Sequence, residues 1–233
     1  YPLQDPTAVT AVWETAAFPE AEMVQGLPAL AGIPIEGDAV ITPFEAGVRP
    51  RPWIGNCVAI GEAAIGLEPL DAVQLHLVHI GVSQLIALFP VEAGQFPEAN
   101  AYNAAIGGLA ANLRDFQIAH YRLNRRYDEP FWDRVRDAKG PASLDQRIRL
   151  FEARGEILLY DHESFQEQNW ASVFVGHGLI PESYDRRIDR VPQQEHIAKV
   201  QQRLRDIAAE VKAMPDAETF VSGSTAPQTL EFF

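Results

Sequence analysis

The sequence predicts a mainly α-helical chain with a few short strands. Apolar residues recur at helical spacing over several long stretches, the runs that suit strands are few and short, and 233 residues are ample for the core of one or two domains. From the start, Thr7 to Phe18 reads as a helix after Pro6, with Val9, Val12, Trp13 and Ala16 on one side. Ala39 to Phe44 and the buried run Cys57 to Ile60 read as strands, joined through the Pro-rich connector Val48 to Pro52, which must run extended. Leu70 to Phe89 is apolar almost all round, broken by Asp71, Gln74, His76, His79 and Gln84, and reads as a helix buried in a larger body. Further helices are expected over Glu98 to Arg126, with a possible break at Gly107-Gly108, and over Phe131 to Ala138, Ser143 to Ala153, Phe165 to Val175 and Gln193 to Met214. In the last of these, Ile197, Val200, Leu204, Ile207 and Val211 form the stripe of a packed outer helix. Ser222 to Gln228 reads as a mobile tail.

Composition narrows the function classes. A net charge of −13 argues against a nucleic-acid partner, which needs clustered Lys and Arg. The local cluster Arg122, Arg125, Arg126, Arg134 and Arg136 is interleaved with Asp128, Glu129 and Asp133, as expected of a salt-bridged surface. A single cysteine, Cys57, excludes an internal disulfide and reads as a buried, inert thiol, which suits the cytoplasm. No membrane-spanning segment is expected. His76 and His79 share a helix face, but with Glu68 and Asp71 they match no metal-ligand pattern, so no metal is expected.

The most informative stretch is Trp53 to Leu70, W-I-G-N-C-V-A-I-G-E-A-A-I-G-L-E-P-L. Gly61 ends the apolar run where the backbone must turn sharply or meet a ligand closely. Ala63, Ala64 and Gly66 leave room for a flat, bulky group against the main chain, and Pro69 suits the first turn of a helix. A helix starting near Leu70 offers free amide hydrogens and a partial positive charge to a halide, a flavin carbonyl or a carboxylate.

Three blocks in order resemble the flavin-dependent tryptophan halogenases: the segment from Trp53 through Glu68-Pro69-Leu70 and the following acid; Arg114-Asp115-Phe116, His120-Tyr121 and Pro130-Phe131-Trp132; and Asn169-Trp170, Val173-Phe174, Gly176, Gly178, Pro181 and Tyr184. The resemblance implies an α/β FAD-binding, flavoprotein-monooxygenase-like fold for the intact protein. Residues 1–41 would end a substrate-side segment, 42–90 would complete the FAD domain, and 91–233 would form a helical cap. The family's G-x-G-x-x-G, W-x-W-x-I-P and catalytic lysine do not occur here; Lys139, Lys199 and Lys212 read as surface residues, and the chain as a C-terminal portion.

By the same resemblance, Asp71 stands where the family has a catalytic glutamate facing the substrate. The shorter side chain withdraws the carboxylate by about 1 Å, a displacement that can cost on the order of a hundredfold in rate; an ordinary first-turn acid is the alternative. FAD would lie against Gly61, Glu62, Ala63, Ala64, Gly66, Leu67, Glu68, Pro69 and Leu70. Glu62 either meets the ribityl chain or is a surface acid, and Glu68 either caps the next helix or touches a ligand. Family halogenases hold chloride on backbone amides where this chain has Val73 and Gln74, and the bulk of Gln74 puts a halide in doubt. Phe165, Asn169, Trp170 and His76 would line the wall for an aromatic, indole-type substrate or peptide. Implied partners are a flavin reductase supplying FADH2, the N-terminal half of the same protein and a second copy in a homodimer. A flavin monooxygenase without halide use, or a non-catalytic flavin-binding interaction protein, remain alternatives.

Overall fold

The computed structural model describes residues 8–92, 94, 96–125, 128–216, 219, 220 and 223. All but Gly223 of the expected tail at Ser222 to Gln228 lies outside them, as does Arg126. Two compact units form: Tyr1–Thr10 with Asp185–Phe233, and Ala11–Tyr184.

The larger unit begins with a correction. Residues 8–18 make turns instead of a helix, and the first helix is α1, Glu20–Ala31. Phe18 precedes Pro19, whose ring pushes the preceding residue out of helical geometry, while Glu20 and Glu22 favour a helix start just after it. Gly32, at φ 71°, closes the helix. Ala39 to Phe44 is likewise not a strand. The strands are two-residue pieces: β1 (Gly47–Val48), β2 (Trp53–Ile54), β3 (Cys57–Val58) and β4 (Ile65–Gly66). β2 and β3 form an antiparallel hairpin pairing Trp53 with Val58, turned through Gly55 at φ 57°. β1 pairs antiparallel with β4, Val48 opposite Ile65. Cys57, on the hairpin, is exposed and not buried as its apolar neighbours suggested.

Helices make up the rest: α2 (Gln74–Ala87), α3 (Glu98–Arg122), α4 (Pro130–Asp137), α5 (Ala142–Arg154) and α6 (Glu167–Gly176). The expected helix from Leu70 is interrupted, because Leu70–Ala72 is a separate 3-10 turn. The 14 residues of α2 that remain span about 21 Å, short of the ~30 Å of a bilayer's hydrocarbon.

The axis of this unit is α3, which runs unbroken for 25 residues through Gly107-Gly108. A Cβ at Gly108 would stand 2.9 Å from His162 Cδ2, so that glycine serves a close approach. Tyr102, Ile106, Leu109, Leu113 and Phe116 recur at three- and four-residue steps and are buried. The N-terminal half of this stripe packs with Trp53, Ile65, Val73 and Leu77, and the C-terminal half with Leu144, Phe151, Trp170 and Phe174. Asn103 binds the hairpin as a strand would: it accepts from Trp53 N (2.7 Å) and donates to Trp53 O (3.0 Å). Tyr102 donates to Ala59 O (3.0 Å).

In the arginine-rich region Arg136 pairs with the interleaved Asp133, while Arg122 pairs with Asp145 and Arg134 with Glu14, acids from outside the cluster.

The smaller unit holds a 3-10 turn at Arg186–Arg190 and α7, Gln193–Ala213. Asp185 accepts from Arg187 N (2.9 Å) and so caps the turn. Ile197, Val200, Leu204, Ile207 and Val211 are all exposed, so the α7 stripe is uncovered.

Candidate active site

The glycine loop between β3 and α2 is shaped by its own backbone demands. Gly61 sits at φ 60°, and a Cβ there would lie 2.7 Å from Val78 Cγ2 on α2; the residue must be glycine for both reasons. The chain makes a 3-10 turn at Gly61–Ala63, pairs briefly as β4, and passes through Pro69 into a second turn. There Asp71 (φ 64°) and Ala72 (φ 51°) both take the left-handed conformation. Without glycine, each such residue costs roughly 1–2 kcal/mol, so the surroundings must impose it. Asp71 is therefore not the first-turn acid of a helix.

Two residues one turn apart on α3 impose it. Gln117 Nε2 donates to both Glu68 O (3.0 Å) and Leu70 O (2.9 Å). Tyr121 donates its hydroxyl to the Glu68 carboxylate, and burial together with that carboxylate pushes the phenol's pKa well above its ordinary range. Glu68 is thus tied to the scaffold.

The third residue of this face, His120, meets Asp71 with Nε2 3.7 Å from Oδ1. That is ion-pair range but too long for a hydrogen bond. The backbone around Asp71 is exposed while its side chain is 19% accessible, so the carboxylate turns inward. Burial raises the Asp71 pKa, and the facing His120 partly offsets the rise. The His120 ring also lies edge-on to Phe116 (5.1 Å) and to His177 (5.9 Å). Burial, then His120, lowers the pKa of His177.

Beside this pair stands an aromatic stack. Phe165 lies flat on Phe116 with centroids 3.7 Å apart and planes at 15°, and Trp170 meets Phe116 edge-on at 4.9 Å. Phe165 precedes α6 and contacts both core clusters. Behind Trp170 lies Arg147, which has 0% exposure and stacks on the indole at 4.2 Å. Arg147 also donates to Glu163 (2.6 Å) and to Asn112 (2.9 Å).

A family model for tryptophan halogenases matches residues 1–193. The chain belongs to the tryptophan halogenase family. It is 26% identical over 199 residues to tryptophan 7-halogenase RebH of Lentzea aerocolonigenes, a match covering 76% of this chain and 37% of that protein. The structure superposes on BrvH, a flavin-dependent halogenase from Brevundimonas sp. BAL3, with a TM-score of 0.81 and 32% identity, covering 91% of this chain and 43% of BrvH. Xcc4156, a flavin-dependent halogenase from Xanthomonas campestris, matches with a TM-score of 0.78 and 28% identity, over 88% of this chain and 42% of its own. The chain thus spans about two fifths of the length of these relatives.

For a member of this family the loop suits a flavin. Glu62 and Ala63 are exposed, Gly66 to Leu70 are half-buried, and Gln117 holds the loop's carbonyls from behind. What faces outward at Ala63 and Gly66 is main chain and small side chains, the surface against which a planar ring can lie. Ala64 is buried beneath it. The expected halide amides lie at the start of α2, where Val73 is buried and Gln74 is half-buried.

The expected substrate residues separate. Phe165 is half-buried in the stack, and His76 is joined to Ser164 Oγ at 2.9 Å. Asn169 instead closes a capping box, accepting from Gln166 N (2.9 Å), and Trp170 is wholly buried behind Phe116. Trp170 supports the stack from behind, while Asn169 is exposed at the start of α6. Among the described residues no group of three or more His, Cys, Asp or Glu is placed to hold a metal. Sequence reasoning left Gln117, Tyr121, His120 and His177 without roles. The signal for His120 was present, since it continues the 102, 106, 109, 113, 116 stripe of α3 and ends it with a polar ring.

Proposed function

We propose that this chain, together with an N-terminal half of the same polypeptide, belongs to an FADH2- and oxygen-dependent halogenase-like enzyme acting on an aromatic, indole-type substrate. The observation that carries the reading is Asp71, held in a left-handed backbone at the end of the glycine loop with its carboxyl half-buried against His120. Backbone strain and a raised carboxyl pKa at one residue are marks of a functional site. Reduced flavin and oxygen would supply the oxidising equivalent that turns halide into an electrophile. The loop Gly61 to Leu70 would hold the flavin's face, and Phe165, backed by Phe116, would bound the substrate ring. Asp71 would take the proton that the ring loses once substituted, a role for which its raised pKa suits it. The exposed apolar residues Leu75, Val78, Val82 and Ile86 of α2 are those a flavin-binding half would cover.

The buried Val73 favours a second reading, an oxygenase that uses no halide. The intact enzyme, given reduced FAD from a reductase, oxygen, bromide and indole-type substrates, decides between them. Products with bromine's doubled isotope pattern are expected. A substrate that gains oxygen but never bromine overturns the halogenase reading.

A further inference from the structure

We propose that His120 is a proton shuttle for Asp71, accepting at Nε2 the proton that Asp71 removes from substrate and releasing one from Nδ1 to solvent. The inference rests on the reading of Asp71 as the base. Its geometry is specific. His120 Nε2 is sealed from solvent and has no hydrogen-bond partner in the structure, yet the side chain is 30% exposed, so the exposure belongs to the rest of the ring. One nitrogen faces Asp71 while another edge of the same ring faces water. Closure by less than about 1 Å brings the 3.7 Å separation within hydrogen-bonding reach, a tightening common once substrate is bound.

The step balances. The C–H electron pair returns to the aromatic ring as its proton passes to Asp71 Oδ1. His120, in the tautomer with its hydrogen on Nδ1, takes that proton at Nε2 and passes its Nδ1 proton to water; tautomer exchange with solvent resets the ring. Asp71 from the loop, His120 from α3 and His177 at the end of α6 are the titratable groups meeting here, and Glu68 is engaged by Tyr121. A packed aromatic such as Phe116 needs no such neighbours.

Two readouts test this in the intact protein, with His120→Gln as the variant. Carbon-13 NMR titration needs no turnover: removing His120 must move both the Asp71 carboxyl and the His177 ring to higher pKa. If neither moves, the proposal is overturned whatever the activity. In turnover, kcat should fall at least tenfold with KM little changed, and imidazole buffer should restore it in proportion to concentration, while the wild type ignores the buffer. A fall in kcat that no buffer rescues, or no fall, also overturns the shuttle. Asp71→Asn run in parallel keeps the two readings apart. Unchanged turnover in that variant sinks the base role itself, and lost turnover there with an unaffected His120→Gln sinks the shuttle alone.

Discussion

Two charge pairs lie along α3, and they are built to opposite ends. Arg147 and Glu163 are 0% and 5% exposed, 2.6 Å apart, with Asn112 taking a further guanidinium hydrogen and Tyr160 and Trp170 stacked on the guanidinium. Asp71 and His120 are more open, 3.7 Å apart and joined by no hydrogen bond. An arginine cannot release its proton in a protein, so the first pair can only hold. A carboxylate and an imidazole can each take up and release a proton, and a loose contact lets either exchange its proton with a third group. Closed charge positions the wall, and loose charge is left to react.

The largest expected effect comes from breaking the closed pair. Arg147→Met leaves Glu163 buried without a cation and removes the support under Trp170, and should destabilise the protein by about 3–5 kcal/mol. Urea denaturation measures it. Pairing it with Glu163→Leu should recover a large part of the loss, because a buried ion pair replaced by apolar groups costs far less than one broken by half. A single variant as stable as wild type would mean that the pair is solvated in solution.

The next effect tests the backbone on which the loose pair depends. Gly61→Ala meets two penalties, a left-handed φ of 60° and a Cβ 2.7 Å from Val78 Cγ2, which together should cost roughly 2–4 kcal/mol. Adding Val78→Ala should relieve the steric part and leave about 1–2 kcal/mol of backbone strain. If the double variant is no more stable than Gly61→Ala, crowding at Val78 is not what requires glycine there.

The same contrast explains what could be read in advance. Periodicity located α3 and α5 to α7 within a few residues, because long stripes such as Tyr102 to Phe116 are set by burial that the pattern itself encodes. Gly61 and Asp71 stood out by position. The left-handed turn at Asp71-Ala72 was not legible: its sequence, Pro-Leu-Asp-Ala, contains no glycine, and the force that bends it comes from Gln117, 47 residues beyond Leu70. Nor was the burial of Arg147, whose partners Glu163 and Asn112 are brought to it only by the tertiary fold. The expected helix over Thr7 to Phe18 did not form, and the first helix begins only after Pro19, at Glu20.

The smallest effect is the sharpest on the comparison, because it asks whether the charge on Asp71 costs the fold anything. Burial raises its folded pKa above the ordinary 3.8, with His120 working against the rise. A raised folded pKa means that the native state holds the proton more tightly than the unfolded chain. The stabilising contribution is then complete below about pH 3.8 and is lost as pH climbs through the folded value. At neutral pH the ionised carboxylate is a net cost. Asp71→Asn removes the charge while keeping a side chain that tolerates left-handed backbone. The variant should match wild type in acid and become slightly more stable as pH rises past the folded value, then hold a constant difference to pH 8. Melting temperatures of both proteins across that range measure it. A variant less stable than wild type at pH 7 would show that the His120 contact outweighs desolvation, making Asp71–His120 a holding pair like Arg147–Glu163.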